Sequence, residues 1–292
     1  MTTTPAQLCR PIVVGVAPDT SKRMALAWAA DEAALRQVPL HLVHAVTGPA
    51  GGYGNAAGEH VAKEALAFAQ TRQPQVELSS LLAEGKPAWV LQEEAQDAAM
   101  VVLGSYHLSR VQEVFSPLSV ALPVMAHARC PVVVVPEPEH LTQQPWYFVV
   151  GVDGSEHSAV AVDVASQEAA LHGAALRALY VRHPHRLGVM EEPATEQECR
   201  RLLSETVASR AESWPEVEVH HEVLTGHPVE ELTKASVHAL GLVMGTRGLG
   251  GFTGMLLGSV SQGVLHYARC PVITVPLPGQ PAREHEHVPA AH

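Results

Sequence analysis

"ARCPVVVVP" at residues 128–136 returns with small changes as "ARCPVITVP" at residues 268–276. A second correspondence links "PIVVGVAPDTS" at residues 11–21 with "YFVVGVDGSEHS" at residues 147–158. The two pairs are separated by nearly the same length of chain, which indicates two copies of one structural unit. Two cores also suit a chain of 292 residues, because a single core usually stops growing at about 100–200 residues.

The repeat sets the domain boundaries that we expect. We predict one domain over residues 11–136 and a second over residues 147–276. The stretch between them, residues 137–146, is polar and proline-rich, which is typical of a linker. Residues 277–292 are expected to form a disordered tail.

Each copy alternates short apolar runs with longer amphipathic segments. Runs such as "IVVGV", "MVVLG" and "VVVV" are apolar on both faces, as buried parallel strands are. The alternation predicts an α/β fold, with a doubly wound five-stranded parallel sheet and helices on both faces in each domain. The predicted strands are 12–17, 40–46, 76–82, 100–104 and 132–136, then 148–153, 175–181, 217–224, 241–245 and 272–276. The predicted helices are 21–37, 59–71, 87–97 and 118–127, then 157–172, 193–210, 228–238 and 259–267.

Composition and charge exclude several classes of protein. The chain is 47% hydrophobic and 17% charged, and no apolar stretch approaches the roughly 20 residues of a membrane-spanning helix. A formal net charge of −11 argues against a nucleic-acid partner, because phosphates would be repelled. The N-terminal "MTTTPAQLCRPIVVGV" lacks the features of a secretory signal, so a cytoplasmic location is expected.

Metal and thiol chemistry are not expected. Four cysteines are scattered without C-x-x-C spacing, which favours lone buried thiols: Cys9, Cys130, Cys199 and Cys270. The pairs His220-His221 and His183-x-His185 occupy positions that rarely form a metal site alone. We therefore expect no metal held by protein side chains alone.

No catalytic constellation is apparent. Ser259 and His266 are two helical turns apart, about 10 Å, which is beyond hydrogen-bond reach. The Gly-Lys-Ser/Thr element of a P-loop is absent. We expect no enzyme, or at most slow hydrolysis of a bound nucleotide.

The richest motif is "GTRGLGGFTGMLLGSVS" at residues 245–261, which follows a predicted strand and leads into a predicted helix. Gly258 would let the backbone approach a ligand closely. The amides of Ser259, Val260 and Ser261 are first-turn donors suited to an anion, and the two hydroxyls can add bonds. Asp153 follows the first strand of the same domain, at the edge where open parallel sheets bind ligands. Phosphate is the expected occupant.

Structural explanations for these residues remain open. Asp153 could cap the following helix, Ser259 could be a helix N-cap without any ligand, and loop glycines often only form turns. A dinucleotide fingerprint built on Gly248 and Gly250 is excluded, because its glycines should follow the first strand of a unit.

The spacing Gly245-x2-Gly248-x9-Gly258-Ser259 resembles the nucleotide-binding signature of the universal stress protein family. The resemblance covers both halves of the chain and implies the adenine nucleotide α-hydrolase-like, Rossmann-like fold. It implies ATP as the ligand, with Mg²⁺ or Mn²⁺. By the same resemblance, ribose and phosphates are held by Gly245, Gly248, Gly258, Ser259, Val260 and Ser261.

Three further positions carry expectations from this resemblance alone. Asp153 is expected near the ribose and the divalent metal, and the backbone of Val181 near the adenine. Met244 falls where the family lines its pocket.

The first domain departs from the signature. Ala17 replaces the aspartate, His107 stands in place of the second glycine, and Leu118 precedes Ser119 at the third. A leucine there projects bulk where a phosphate would press on the backbone. We predict one competent site, in the second domain.

The function implied by the resemblance is that of a stress-response regulator whose conformation or partner affinity depends on bound ATP. The alternatives are a nucleotide-free dimeric interaction protein of the same fold and a slow ATP hydrolase. Family members commonly pair through the last strand, so "VVVVP" and "VITVP" are expected to pair between the halves or between chains.

Overall fold

The computed structural model describes residues 10–19, 23–46, 53–105, 120–137, 140–183, 195–211, 213–249 and 257–278. Both chain ends fall outside these ranges, including most of the predicted tail at 277–292. None of the helices within the described ranges is long and apolar enough to cross a membrane.

Strands and helices alternate along the described chain. The strands are β1 Ile12–Gly15, β2 Leu40–Val46, β3 Leu78–Glu84, β4 Met100–Gly104, β5 Val132–Val135, β6 Tyr147–Gly151, β7 Ala175–Arg182, β8 Val219–Thr225, β9 Gly241–Gly245 and β10 Val272–Val275. The helices are α1 Met24–Arg36, α2 Tyr53–Arg72, α3 Pro87–Glu94, α4 Ala121–His127, α5 Glu156–His172, α6 Glu196–Ala211, α7 Pro228–Ala235 and α8 Ser259–Tyr267.

The strands form one ten-stranded sheet in the order β3-β2-β1-β4-β5-β10-β9-β6-β7-β8. All pairs within β1–β5, the first half, are parallel, and so are all pairs within β6–β10, the second half. Each half therefore has the doubly wound order that the alternation predicted, and the α/β fold class is confirmed.

The two halves join through their last strands. β5 and β10 pair antiparallel, with Val133 opposite Ile273. These two residues occupy equivalent places in the repeated stretches, so the local two-fold axis that relates the halves passes between them. The predicted pairing between halves is confirmed, and it leaves neither strand an open edge for another chain.

Helices cover both faces of the sheet. On one face the buried residues come from α1, α2, α5 and α6 packed on the strands, including Leu26, Ala65, Val162 and Leu203. On the other they come from α3, α4, α7 and α8, including Leu91, Val124, Leu232 and Val264. The strands are buried between two helical layers, which explains why their sequences are apolar throughout.

The observed helix ends differ from the predicted ones in several places. α2 begins at Tyr53 instead of residue 59, and α7 ends at Ala235 instead of residue 238. After α7 the Ser236 hydroxyl donates to the Thr233 carbonyl oxygen at 3.1 Å, and the chain turns towards β9. The helix predicted at 118–127 is described from Ala121, since residues 118 and 119 lie outside the described ranges.

We expect Ile273→Ala to lower the free energy of unfolding by about 2–5 kcal/mol, because a fully buried side chain at the junction would leave a cavity. Urea denaturation followed by circular dichroism measures the change. The control is Val237→Ala, at a side chain that is 37% exposed, and it should change stability by less than about 0.5 kcal/mol. Equal effects of the two substitutions would contradict a packed junction.

Candidate functional site

The carboxyl ends of β6 and β9 bring two loop segments and the start of α8 together. The two strands are parallel neighbours, with Val150 aligned with Val243, so both end at the same edge of the sheet. β6 leads to Asp153, and β9 leads into the glycine loop, residues 245–258, which is described at 245–249 and 257–258. Between β6 and β9 the connections diverge to opposite faces, which is where open α/β sheets bind ligands.

The carboxylate of Asp153 ties the glycine loop to the start of α5. Its Oδ1 accepts hydrogen bonds from the Ser155 amide at 3.0 Å and from the Ser155 hydroxyl at 2.6 Å. Its Oδ2 accepts one from the Leu249 amide at 2.9 Å. The N-cap of α5 is Ser155, whose Oγ accepts from the Ser158 amide. Asp153 thus does not cap the helix itself; it holds the capping residue and the glycine loop together.

Two signature glycines are required by the packing of the protein itself. A Cβ on Gly245 would lie 2.6 Å from the Cβ of His157 and 2.8 Å from its carbonyl carbon. A Cβ on Gly248 would overlap Oδ2 of Asp153. Gly245 therefore lets α5 approach the end of β9, and Gly248 lets the carboxylate reach the Leu249 amide.

Gly258 is different, because an added Cβ would make only ordinary van der Waals contacts with the described residues. The nearest atom to an added Cβ would be the Cα of Arg247 at 3.5 Å, an ordinary van der Waals distance. Its φ of −65° and ψ of 149° are open to any residue. The Gly258 amide donates to the Thr246 carbonyl oxygen at 2.9 Å, which closes the base of the loop.

Within the described part of the chain, no side chain caps the N-terminus of α8. Gly258 is the N-cap residue, so Ser259 is the first residue of the helix, and the N-cap role expected for Ser259 is wrong. The amides of the first turn, from Ser259 to Ser261, have no partners within an α-helix and carry the positive end of its dipole. With an exposed Ser259 and no side chain at 258, this turn presents its amides to an anion.

The other predicted site residues are buried or partly buried. Ser261 is buried, and its hydroxyl donates to the Gly245 carbonyl oxygen at 3.0 Å, so it binds the loop instead of facing outward. Met244 lies on β9 and is buried in the core between the sheet and the helices α3, α4, α7 and α8. Val260 packs against the same core and is partly buried. Val181 lies on β7, aligned with Leu224 of β8, and is also only partly buried.

Two charged or titratable side chains at this site were not singled out from the sequence. Burial lowers the pKa of His157, the charge of Arg247 lowers it further, and Asp153 and Glu156 oppose the shift. Nε2 of His157 is buried and has no hydrogen-bond partner. Both residues were visible in the motifs, since Arg247 lies between Gly245 and Gly248 and His157 follows Asp153 by four positions.

The equivalent edge of the first half has a different chemistry. Ala17 supplies no carboxylate after β1, and an added Cβ on Gly104 would be 3.7 Å from the Cβ of Ala25. A carboxylate from the chain itself lies at the start of α1, because Oε1 of Glu137 accepts from the Met24 amide at 2.8 Å. The substitutions at His107, Leu118 and Ser119 lie outside the described residues.

Comparison with known proteins matches both halves of the chain to one family. The sequence model of the universal stress protein family matches residues 9–136 and 148–276. The universal stress protein Rv2005c of Mycobacterium tuberculosis is 32% identical over 289 residues, covering 90% of this chain and 95% of that protein. The universal stress protein Rv2623 of the same organism is 31% identical over 284 residues, with the same coverage of 90% and 95%.

The fold is also found in solved structures. A universal stress protein from Archaeoglobus fulgidus superimposes with a TM-score of 0.71 at 17% sequence identity. The alignment covers 91% of this chain and 97% of that one. The arrangement of both halves is thus shared with a protein of very different sequence.

Without any ligand, we expect Gly248→Ala and Gly258→Ala to differ in stability. Gly248→Ala should lower the free energy of unfolding by about 1–3 kcal/mol, because the methyl group displaces the Asp153 carboxylate from its partners. Gly258→Ala should change it by less than about 0.5 kcal/mol, since its Cβ meets only ordinary contacts. Urea denaturation measures both, and a large loss for Gly258→Ala would contradict this account.

Proposed function

The chain belongs to the universal stress protein family, and on that premise we propose that it is an ATP-binding stress-response regulator. The nucleotide is assigned to the second domain, residues 147–276, and none to the first domain, residues 11–136. The observation that carries the proposal is the start of α8, where no described side chain caps the helix and where packing does not require the glycine at position 258.

The first turn of α8 would hold the phosphates. Amides of Ser259 and Val260 supply donors, the exposed Ser259 hydroxyl supplies another, and the helix dipole favours the negative charge. Backbone donors of this kind explain how a chain with a formal net charge of −11 could bind a polyanion. Arg247, in the same loop, adds a positive charge.

The residues present also suit the divalent ion that would accompany ATP. A carboxylate offers about four acceptor positions, and Asp153 uses three of them on Ser155 and Leu249. One position is left for Mg²⁺ or Mn²⁺, whose other ligands would come from phosphates and water. When bound, the ion would neutralise phosphate charge. Val181 remains the proposed neighbour of the adenine, and Met244 the proposed pocket residue.

Regulation fits this site better than catalysis. Asp153 is engaged by hydrogen bonds to Ser155 and Leu249, and Nε2 of His157, the other candidate base described at this site, is buried. Because Asp153 joins the glycine loop to α5, a ligand that engages its carboxylate changes the restraint on both. A nucleotide can shift conformation only if it prefers one state, and this shared contact provides the difference.

A single site per chain follows from the contrast between the halves. The carboxylate of Glu137 already accepts from the backbone at the start of α1, where a negative charge repels phosphate. Ala17 also removes the ligand that Asp153 provides in the second half.

We expect isothermal titration calorimetry with ATP and Mg²⁺ to give about one site per chain. Gly258→Ala should weaken ATP binding by at least about tenfold, because its methyl group occupies the space next to the phosphate-binding amides. The matched control is Gly104→Ala in the first half, which should leave the affinity unchanged. Two equivalent sites, or an unchanged affinity in Gly258→Ala, would contradict the assignment. No response to ATP at millimolar concentration would favour a nucleotide-free interaction protein.

We further expect bound ATP to be retained with negligible turnover in a phosphate-release assay. The physical reason is that the Asp153 carboxylate is held by its protein partners and cannot readily activate water. Turnover that persists through purification and disappears in Asp153→Ala would identify a slow hydrolase instead.

A further inference from the structure

Four ionisable side chains meet where α1 of the first half packs beside α5 of the second. Glu32 and Arg36 lie on α1, and Glu168 and His172 lie on α5. Glu168 follows Glu32, and His172 follows Arg36, by the same 136 positions that separate Gly15 from Gly151. We call these four residues the junction quartet. It consists of two equivalent pairs, one from each half, related by the local two-fold axis.

The quartet is closely connected and largely buried. Nε of Arg36 donates to Oε1 of Glu32 at 2.6 Å, and the Arg36 guanidinium also pairs with Oε1 of Glu168. Nε2 of His172 lies 3.1 Å from Oε2 of Glu32. Both carboxylate side chains are only 2% exposed. Oε2 of Glu168 is buried and has no hydrogen-bond partner among the residues that the structure describes.

The charges of the quartet balance only when it holds one extra proton. Two carboxylates face one permanent cation, Arg36, because the equivalent position in the second half is His172. With a neutral imidazole and both carboxylates ionised, the quartet keeps one uncompensated negative charge in a buried place. Such a charge is costly, and taking up a proton removes it.

We propose that the junction quartet is a proton-binding switch that couples the docking of the two halves to pH. The proton is taken up near neutral pH, with Glu168 as the accepting group. The protonated quartet is neutral and holds α1 against α5, and loss of the proton leaves a buried charge that loosens this contact.

The electrostatics of the individual groups agree with this assignment. Burial raises the pKa of Glu168, the charge of Arg36 opposes this and the charge of Glu32 adds to it, and together these effects bring the pKa to about 7. Burial also acts to raise the pKa of Glu32, but the hydrogen bond from His172 and the charge of Arg36 outweigh it and lower this pKa. Of the two carboxyls, Glu168 is therefore the one that titrates near neutral pH.

The direction of the pH dependence follows from these shifts. The pKa of Glu168 is higher in the folded protein than its ordinary value of 4.5. Its contribution to stability is therefore fully present below that ordinary value and is lost as pH rises through about 7. The pKa of Glu32 is lower in the folded protein than its ordinary value of 4.5. The ionised Glu32 therefore stabilises the fold above that value, and this contribution to stability is lost as pH falls through the lowered pKa.

Other charged groups near the two helices have their own partners or lie on other surfaces. The strands β1, β4, β5, β6, β9 and β10 contain no charged residue. On the neighbouring helices and strands, Arg72 of α2 pairs with Asp31, and Arg177 of β7 pairs with Glu222. On β2, His44 hydrogen-bonds to the Val16 carbonyl oxygen and His41 hydrogen-bonds to the Ser79 hydroxyl. On β7, Arg182 donates to the Thr225 hydroxyl. On α6, Arg200 pairs with Glu196 and Arg201 with Glu205.

A proton suits the quartet better than a metal ion. Ligand atoms of Glu32, Glu168 and His172 lie within 4.8 Å of one another, a donor set that could hold a divalent cation. The guanidinium of Arg36 already bridges the two carboxylates. A cation would have to displace it, whereas a proton adds to the free oxygen of Glu168 without moving any neighbour.

The test combines two measurements on the full chain in buffer with EDTA. Carbon-13 NMR of labelled glutamate should show one carboxyl that titrates near pH 7 and that is missing in Glu168→Gln. Hydrogen exchange, corrected for the intrinsic rate, gives the equilibrium constant for opening of α1 and α5. This constant should increase about tenfold between about pH 6 and about pH 8.5. In Glu168→Gln the opening should not change with pH over this range.

Two further variants make the result decisive. His172→Arg puts a second permanent cation in place of the imidazole and keeps both carboxylates and Arg36, so protection of α1 and α5 should stay high at the upper pH. Glu196→Gln, in the exposed pair with Arg200, is the control and should keep the wild-type pH dependence. The proposal is overturned if wild-type protection does not change with pH, if His172→Arg retains the change, or if a parallel measurement without EDTA shows a pH dependence that is absent with EDTA.

Discussion

The antiparallel pairing of β5 with β10 determines how the rest of the molecule is arranged. It is centred on Val133 and Ile273, which are equivalent residues of the two repeats. Two five-stranded sheets thereby become one sheet of ten, and α1 and α5 are brought together on one face. Because the strands of the two halves run in opposite directions, the carboxyl ends of their strands lie at opposite ends of the sheet. Residues at one end can therefore differ from their equivalents at the other, as Ala17 and Asp153 do.

Much of this could be predicted from the sequence, for a clear physical reason. Strands buried on both faces must be apolar, so "VVVV" and "GLVMG" are recognisable without any structure. The repeat doubled that information, because each element was seen twice. What could not be predicted depends on contacts between distant residues. The 136-position equivalence of Arg36 and His172 was present in the sequence, but only the packing of α1 beside α5 makes their difference in charge matter.

The glycine loop shows the same limit at the level of single residues. By sequence, Gly245, Gly248 and Gly258 belong to one signature with one explanation. The structure separates them, because His157 requires the first and Asp153 requires the second, whereas a Cβ at the third would meet only ordinary van der Waals contacts. A glycine motif can thus combine positions that packing requires with a position that packing does not require. Spacing alone does not distinguish these causes. The atoms that a Cβ would meet at each glycine do distinguish them.

α5 connects the two features on which our proposals depend. Its first turn carries His157 against Gly245, beside Asp153 and the glycine loop, and its last turns carry Glu168 and His172 in the junction quartet. A helix of 17 residues is about 25 Å long and moves largely as a rigid body. A nucleotide that shifts the start of α5 must therefore also act on the packing of its end against α1. Coupling between two binding equilibria is reciprocal, so a proton bound at the junction would change nucleotide affinity by the same factor as nucleotide changes proton affinity. The single aspartate that holds the loop to this helix is where such coupling begins.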